Sequence, residues 1–348
     1  MGRGGPPRRL EKRNISVNPH DKECRIRDIG CLHGIIFVYA KGINLWMDTN
    51  MSLTLTLICS LDNPVLTQEL CVSVGNDLSA TSIDWLYPNT ACDFQLTSTM
   101  EKSEAIEIIG EKITQLPIDC VVQPTEKRRK KLFLADMDST IIGQECIDEL
   151  AAEIGIKEDV AKITEAAMNG EIEFEDALKN RVALLAELEE SVVSKVLENR
   201  ITVNKGAKEA LATMRKNQTH TALVSGGFTV FASEIAKQVG FHEFHANVLL
   251  ADSGKFTGKV AEPILGQQAK LDQLNRLATK QKLRLNETIA IGDGANDLPM
   301  LLNAGVGIAY HAKPTVAAQA GVVIRHGDLS SILFVQGYTK ADIDLAMA

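Results

Sequence analysis

Three apolar stretches of the chain each run into a polar turn that contains glycine or aspartate. They read LFLADMDST over residues 132–140, TALVSGGF over residues 221–228 and TIAIGDGANDLPML over residues 288–301. Short apolar runs bounded by such turns predict buried strands, and amphipathic helical patterns separate them along the chain. Strands that alternate with helices predict a doubly wound, Rossmann-like α/β core in which the carboxyl ends of the strands meet at one crevice.

A strongly helical region interrupts this alternation after the first strand. Residues 144–205 contain ECIDELAAEIG, an amphipathic run over residues 159–168, and FEDALKNRVALLAEL. Their apolar positions recur with helical spacing. We therefore expect a helical cap over residues 144–205, inserted between core segments 132–143 and 206–340.

Two further patterns complete the predicted core. Alternating apolar runs on either side of Asp252 and Gly254 predict a hairpin, which we expect to extend the edge of the sheet. The pattern AGVGIAY…AGVVI over residues 304–324 predicts two more short strands around a small helix.

The residues before the predicted core divide into three segments. Alternating and amphipathic runs over residues 51–122 predict a small α+β domain. Residues 123–131 contain the basic run EKRRKK, which we interpret as a solvated linker. Residues 1–50 begin with the basic, Gly- and Pro-rich MGRGGPPRRLEKR, which predicts either disorder or a mis-assigned start with Met51 as the true initiator.

Composition narrows the functional class. The 348 residues carry a formal net charge of −8, with a sequence pI near 5.5, which argues against a nucleic-acid partner. The 7 cysteines are scattered without CxxC spacing, so neither a disulfide framework nor a zinc site is indicated and we expect a cytoplasmic location. The apolar stretch of residues 34–46 is interrupted by Lys41 and is too short to span a bilayer, so we expect no membrane partner.

Two carboxylates at the end of the first predicted strand suggest the chemistry. Asp136 and Asp138 lie at positions i and i+2, which on a strand directs both side chains to one side. One acid can then attack a phosphorus atom while the other shuttles protons. Because aspartate is also common in turns, a capped strand end is the alternative for an isolated DxD pair.

The other two strand ends add oxygen and amide groups. Asp293, Asn296 and Asp297 cluster in a Gly-rich turn, where hard oxygen ligands suit Mg²⁺. The alternative is a tight turn in which Asn296 or Asp297 caps the next helix. Ser225 and the Gly226 amide precede a helix and can receive an anion, or form a turn without a ligand.

Taken in order, DMDST, SGG, Lys270 and GDGAND resemble the four motifs of the haloacid dehalogenase (HAD) superfamily of phosphotransferases. Within it the chain is most similar to the phosphoserine phosphatases, from about residue 132 to residue 338, and the order and spacing of the motifs make the match specific. The resemblance implies hydrolysis of O-phosphoserine in serine biosynthesis through an aspartyl-phosphate. The alternative is a phosphotransferase of this superfamily, or a phosphatase acting on phosphothreonine or phosphohomoserine.

The resemblance also implies a role for each motif residue. Asp136 is expected as the nucleophile and Asp138 as the general acid and base. Mg²⁺ is expected on the carboxylates of Asp136 and Asp293 and on the backbone carbonyl of Asp138. The remaining motif residues are expected on the phosphate side of the site: Ser225, the Gly226 amide, Asn296 and Lys270, with Asp297 positioning Lys270.

Substrate choice is expected to come from the cap. By resemblance, Glu145 receives the substrate ammonium and Arg181 its carboxylate, for which arginine offers a bidentate fork. Met168 and Phe174 correspond to residues that line the apolar side of the pocket. From the pattern alone, Glu145 is a first-turn acid, Arg181 a solvated or salt-bridged helix residue, Met168 and Phe174 ordinary core residues, and Lys270 a solvated lysine.

The expected partners are therefore a small-molecule substrate, O-phosphoserine, and the cofactor Mg²⁺. Some members of the family carry an amino-acid-sensing, ACT-like domain where this chain has residues 51–122. Effector binding and simple packing into a homodimer both stay open for this segment.

Overall fold

The computed structural model describes residues 29–32, 35–40, 43–48, 52–168 and 171–348, with the backbone alone for 29–32, 35–40, 43–48, 165, 167 and 168. The chain divides into two compact units, Met1–Met51 and Ser52–Ala348. The first contains an antiparallel sheet of Ile29–Leu32 (β1), Ile35–Ala40 (β2) and Ile43–Asp48 (β3). These strands lie in the segment whose composition predicts disorder; the rest of that segment falls outside the described residues.

The second unit begins with a pattern of strands and helices before the core. These elements are Leu53–Cys59 (β4), Gln68–Asp77 (α1), Ser82–Tyr87 (β5), Ala91–Gln95 (β6), Lys102–Ile113 (α2) and Ile118–Pro124 (β7). The four strands form an antiparallel sheet in the order β5-β6-β4-β7. The helices cover one face, where Leu55 and Phe94 of the sheet pack with Val74 and Ile109. Ile58 and Val121 belong instead to the core described next.

The core follows in alternating elements. Its first half contains Leu132–Ala135 (β8), Cys146–Glu153 (α3), Lys157–Met168 (α4), Phe174–Ala183 (α5), Val192–Asn199 (α6), Ala207–Lys216 (α7), His220–Phe228 (β9), Thr229–Val239 (α8) and Glu243–Asn247 (β10). Its second half contains Leu249–Asp252 (β11), Lys255–Val260 (β12), Gln267–Lys280 (α9), Thr288–Gly292 (β13), Leu298–Asn303 (α10), Val306–Tyr310 (β14), Pro314–Ala317 (α11), Val322–Ile324 (β15), Ser331–Val335 (α12) and Lys340–Met347 (α13).

A six-stranded parallel sheet lies at the centre, in the order β10-β9-β8-β13-β14-β15. Every residue of β8 is buried, as expected for a strand with neighbours on both sides and helices on both faces. The chain adds β9 and β10 on one side of β8 and then returns to add β13 on the other. Because ligands of such sheets bind where the strand order reverses, the carboxyl ends of β8 and β13 are the expected site.

The helices α3 to α6 fill the region between β8 and β9 for which the sequence predicts a helical cap. The division of the chain into core and cap stays a prediction. Val203 and Ile142 form a β-bridge where the two connections run side by side.

The predicted hairpin forms, but its expected position is wrong. β11 and β12 make a separate two-stranded sheet and do not extend the parallel sheet. The free edge of β12 bonds instead to the segment after α5, with Phe256 N donating to Leu188 O at 2.9 Å and Glu187 N donating to Phe256 O at 2.9 Å. The hairpin is therefore attached to the helical region, because that segment supplies the backbone partners its edge requires.

The prediction of a solvated basic linker over residues 123–131 is wrong for Gln123, which is a buried residue of β7, and for Arg128. Arg128 is buried, with two of its guanidinium nitrogens on Asp93 at 2.5 and 3.2 Å. It also donates to the carbonyls of Phe334 and Val335 in the core. A buried arginine is stable only when its donors are satisfied in this way. Within the described part of the chain, no helix is long and apolar enough to cross a membrane.

Candidate active site

The two acids of the DMDST turn follow β8 and enter different surroundings. The Asp136 carboxylate is buried and lies 2.6 Å from Lys270 Nζ. The Asp138 carboxylate accepts from Cys146 N at 2.9 Å and from Ser225 Oγ at 3.2 Å. Between this pair and the next helix, Ser139 adopts a left-handed conformation with φ of 56°. That conformation lets the chain turn sharply toward α3, so the two carboxylates reach separate partners.

Ser225, Gly226 and Gly227 lie in the irregular carboxyl end of β9, where the pairing with β10 shifts register. This segment, called the SGG turn below, faces Asp138. Ser225 is fully buried, and its hydroxyl accepts from Gly227 N at 2.8 Å while it donates to Asp138. A Cβ on Gly227 would lie 2.6 Å from Asp138 Oδ2. The absence of a side chain at Gly227 is therefore what allows the turn to approach the carboxylate this closely.

The GDGAND turn of β13 supplies two more carboxylates. Asp293 Oδ1 accepts from the Thr140 hydroxyl at 3.1 Å, and Asp297 Oδ2 accepts from Gly294 N at 3.0 Å. A Cβ on Gly292 would lie only 2.3 Å from Asp297 Cγ, so this position requires glycine. Asn296 is half-buried. Asp297 also occupies the N-cap position of α10, with Pro299 in the first turn, as the local pattern predicts.

Lys270 joins these turns from α9. Its side chain is fully buried, in contrast to the solvated position that its helical pattern alone predicts. Nζ donates to Asp297 Oδ1 at 2.7 Å and contacts Asp136 Oδ1 at 2.6 Å. The expected contact between Asp297 and Lys270 is therefore present in the structure.

Three carboxylates converge at this point. Oxygens of Asp136, Asp293 and Asp297 all lie within 4.8 Å of one another. The ligand set expected from the resemblance included the Asp138 backbone carbonyl and did not include Asp297. The carboxylate of Asp138 takes no part in this cluster, since it faces Ser225 and Cys146.

The electrostatics reflect an excess of negative charge. Burial raises the pKa of Asp136, the nearby Asp297 charge raises it further, and Lys270 opposes both. Burial also raises the pKa of Asp138 and of Asp293. For Lys270 burial lowers the pKa, but the carboxylates of Asp136 and Asp297 outweigh burial, so its pKa is raised. The cluster thus holds three carboxylates and one ammonium, and oxygen donors with a net negative charge fit a hard divalent cation such as Mg²⁺.

Two charged residues of the helical region lie on the same side. Glu145 Oε1 accepts from the Ser139 hydroxyl at 2.7 Å. Although Glu145 is solvent-exposed, the protein around its carboxylate and the charge of Asp138 raise its pKa to about 7. Burial lowers the pKa of Arg181, while the charges of Asp148, Glu145 and Asp138 act on it in the opposite direction.

Among the described residues, the Arg181 guanidinium makes only two hydrogen bonds, both long, to Ala177 O at 3.3 Å and to Thr164 Oγ1 at 3.5 Å. Within that part of the chain it is oriented without a close ion pair. Phe174 lies beside the SGG turn and the start of α9. A Cβ built on Gly226 would be 3.5 Å from its ring, and one built on Gly266 would be 3.3 Å from it. The side chain of Met168 lies outside the described residues, so its expected role stays a prediction.

The sequence reasoning missed two polar residues that contact the site. Thr140 lies inside the DMDST motif, where its position two residues after Asp138 was the only available signal, and its hydroxyl donates to Asp293. Asn247 ends β10 and bonds to Gly226 O at 2.8 Å. No local pattern marks it, because an asparagine before a hairpin is an ordinary turn residue.

Comparisons with known proteins agree with this geometry. A family model for haloacid dehalogenase-like hydrolases matches residues 133–302. A phosphoserine phosphatase of Streptomyces coelicolor is 35% identical over 84% of this chain and 72% of its own length. A phosphoserine phosphatase of Methanocaldococcus jannaschii is 40% identical over 60% of this chain and 98% of its own length.

Solved structures point the same way. A phosphoserine phosphatase described as a phospho-aspartyl intermediate analogue superposes with a TM-score of 0.55 and 40% identity, over 59% of this chain and 98% of that one. The residues that the family model matches, 133–302, include Asp136, Asp293 and Asp297.

Proposed function

This chain belongs to the phosphoserine phosphatase family of haloacid dehalogenase-like hydrolases, and we propose that it hydrolyses O-phosphoserine to serine and phosphate. The observation that carries the proposal is the convergence of Asp136, Asp293 and Asp297 with Lys270 at the switch point of the parallel sheet. An aspartate that attacks a phosphate needs positive charge nearby, because two anions otherwise repel each other. Lys270 supplies one such charge, and a Mg²⁺ ion on the acidic cluster would supply more.

In the first step Asp136 attacks the phosphorus atom. A bond forms between a carboxylate oxygen and phosphorus, and the bond from phosphorus to the serine oxygen breaks. Asp138 gives its proton to the departing alkoxide. Burial raises the pKa of Asp138, which favours the protonated form that this step requires.

In the second step water hydrolyses the aspartyl-phosphate. Asp138, now ionised, takes a proton from the attacking water, and phosphate leaves as the carboxylate of Asp136 is restored. One difficult displacement is thereby divided into two easier ones. Hydrogen bonds from Cys146 N and Ser225 Oγ hold the Asp138 carboxyl group apart from Asp136. We assign both proton transfers to Asp138 in this position.

Positive charge and hydrogen-bond donors stabilise the transferring group. We assign this role to Ser225, the Gly226 amide, Asn296 and Lys270, with Asp297 holding Lys270. Mg²⁺, held by the carboxylates of Asp136 and Asp293 and the carbonyl of Asp138, would neutralise charge on the phosphate oxygens. The acidic excess of the cluster supports this assignment.

The helical region supplies the proposed selectivity for an amino-acid phosphoester. Glu145 receives the ammonium group and Arg181 the carboxylate, which its planar guanidinium can bind through two parallel bonds. Phe174 and Met168 cover the apolar side. Among the described residues, the Arg181 guanidinium has only two long hydrogen bonds, which supports this role because a ligand carboxylate would not have to displace a strong ion pair there.

The proposed partner is thus a small molecule in the cytoplasm, and a homodimer remains a prediction. We would measure phosphate release from O-phosphoserine and from sugar and nucleotide phosphomonoesters, each with and without Mg²⁺. We expect Mg²⁺-dependent release of phosphate from O-phosphoserine in preference to the other esters. The Asp136→Asn variant should release none, although it should still show a cooperative unfolding transition. Equal rates across the panel would reject the substrate, and full activity of Asp136→Asn would reject the mechanism.

A further inference from the structure

Asn247 is the buried polar residue that joins the two phosphate-side elements. It is 3% exposed and ends β10, in register with Phe228 of β9. Its side-chain Nδ2 donates to Gly226 O at 2.8 Å and to Leu265 O at 3.2 Å, and its Oδ1 accepts from Leu265 N at 2.6 Å. One carboxamide therefore satisfies three backbone groups on two separate segments.

Both segments lead directly to groups that the proposed mechanism uses. Gly226 lies in the turn between Ser225 and Gly227, whose amide donates to the Ser225 hydroxyl. Leu265 precedes α9, and Gly266 O accepts from Lys270 N at 3.2 Å in the first turn of that helix. The contact to Gly226 O also fixes the plane of the peptide that follows it, so the direction of the Gly227 N–H is set as well.

In the described part of the chain, the SGG turn and residues 264–266 share no backbone hydrogen bond. The Asn247 side chain takes the place of such a bond. Phe174 lies beside both segments, since a Cβ built on Gly226 would be 3.5 Å from its ring and one built on Gly266 would be 3.3 Å from it. Loss of the carboxamide would let the two segments separate and would remove the platform under Phe174.

We propose that Asn247 is a positioning residue for catalysis: it holds the Gly226 turn and the start of α9 at the spacing that lets Ser225, the Gly226 amide and Lys270 act on one phosphoryl group. The inference rests on the proposed function. Asn247 touches no reacting atom and acts only through these donors. Misplacement of catalytic groups by about 1 Å can cost on the order of a hundredfold in rate.

The test is Asn247→Asp, which keeps the acceptor for Leu265 N and removes both donations. Gln336→Glu is a matched control. Gln336 is 1% exposed, accepts from Lys130 N at 2.9 Å and donates to Ile332 O at 3.3 Å, but it has no contact with the site. In both variants a carboxylate replaces a buried side-chain amide that forms hydrogen bonds with backbone groups. The two variants should therefore lower the melting temperature by similar amounts.

We expect kcat of folded Asn247→Asp to fall about a hundredfold, with weaker inhibition by inorganic phosphate and orthovanadate. Gln336→Glu should keep both quantities near those of the unaltered chain. Equal specific activity in the two variants would overturn the proposal. If Asn247→Asp does not fold, Asn247→Ser takes its place under the same criteria.

A double-mutant cycle with Ser225→Ala separates positioning from general damage. If Asn247 acts through the SGG turn, the two changes should be strongly less than additive in kcat. Full additivity would reject the positioning role. Failure of the unaltered chain to hydrolyse O-phosphoserine would instead reject the proposed function, so the two outcomes can be told apart.

Discussion

Two buried cations, Arg128 and Lys270, are held by aspartates in this chain, but their surroundings differ. Arg128 connects the sheet of β4 to β7 with the core, and Lys270 lies at the carboxyl edge of the parallel sheet. Each has carboxylate oxygens at 2.5 to 2.7 Å. The two sites differ in their net charge and in how many of their hydrogen-bond donors and acceptors already have partners within the protein.

Around Arg128 the balance is even. One guanidinium faces one carboxylate, Asp93, and Thr56 bonds to both, at 3.0 Å from the guanidinium and 2.6 Å from the carboxylate. The remaining donors reach the carbonyls of Phe334 and Val335. Such a saturated pair resists opening and offers nothing to a ligand.

Around Lys270 the balance is uneven. Its single ammonium faces Asp136 and Asp297, and Asp293 lies close enough for all three acids to share one ion. Asp297 accepts hydrogen bonds on both of its oxygens, but the contacts that the described residues make with Asp136 and Asp293 reach one oxygen each, from Lys270 and from Thr140. The comparison indicates that a buried ion network with surplus negative charge is a binding site, whereas a neutral, fully hydrogen-bonded network stabilises the contact between two parts of the fold.

The largest expected effect comes from removing the cation of the unbalanced network. Lys270→Met should lower kcat/KM by about 10³-fold, because a buried donor to the phosphoryl charge is lost. It should also leave three carboxylates without an internal counter-ion. Mg²⁺ should therefore raise the melting temperature of this variant more than that of the unaltered chain, measured by thermal unfolding with and without Mg²⁺.

Lys280→Met, on the same helix, is the matched control. Lys280 is half-exposed and pairs with Glu243 at 3.3 Å. Its loss should leave turnover unchanged and cost less than about 1 kcal/mol. Comparable turnover in the Lys270 and Lys280 variants would contradict the difference drawn between surplus and balanced charge.

Removing the cation of the balanced network should affect stability and not turnover. Arg128→Met should lower the free energy of unfolding by about 3–5 kcal/mol, because Asp93 is left buried without a partner. The turnover of the folded fraction should stay within about twofold. Urea unfolding followed by an assay of refolded protein measures both quantities.

Asp93→Asn combined with Arg128→Met should recover part of that loss, since no uncompensated charge remains. Lys131→Met is the neighbouring control: its ion pair with Glu287 is exposed and should contribute less than about 1 kcal/mol. If Arg128→Met costs no more than Lys131→Met, the pair with Asp93 does not hold the two parts together.

The smallest expected effect concerns the hydrogen bond that orients one carboxylate of the unbalanced network. Thr140→Val removes the donor to Asp293 and keeps the shape of the side chain. The Mg²⁺ concentration for half-maximal activity should rise about tenfold, as when other outer contacts of metal ligands are lost. Activity at saturating Mg²⁺ should change little.

Thr213→Val controls for the loss of a buried hydroxyl. Thr213 Oγ1 is buried and has no hydrogen-bond partner among the described residues. Its replacement should leave the Mg²⁺ requirement as it is. If the Thr140 and Thr213 variants need the same Mg²⁺ concentration for half-maximal activity, the hydrogen bond from Thr140 to Asp293 does not affect Mg²⁺ affinity.

Much of the fold and site was predictable because the signals are local. The runs before Asp136, Ser225 and Asp293 are short and apolar, and each does form a strand of the parallel sheet. Parallel strands bring their carboxyl ends to one edge, so the meeting of Asp136 and Asp293 followed from the strand assignment. The signal for the hairpin of β11 and β12 was local too, and the hairpin forms. Its bonding partner, the segment after α5, is distant in the sequence, so the expected position of the hairpin was wrong.

Lys270 shows the limit of pattern reasoning. Its helical context predicts a solvated lysine, and only the order of the motifs argued otherwise; the structure buries it completely. Arg128 had no such motif, and its basic neighbours made a solvated linker the natural interpretation. Both outcomes depend on which acids lie nearby in space, which the residues next to them do not reveal.

The sequence by itself determined the alternation of strands and helices, the strand ends that carry the acids, and the family. These depend on hydrophobic periodicity and on residues close together in the chain. Only the tertiary structure decided that Arg128 is buried against Phe334, 206 residues away, and that Asn247 links the Gly226 turn to Leu265. The physical reason is that burial and pairing of polar groups are settled by neighbours that folding brings together, since an unpaired buried group is too costly to persist.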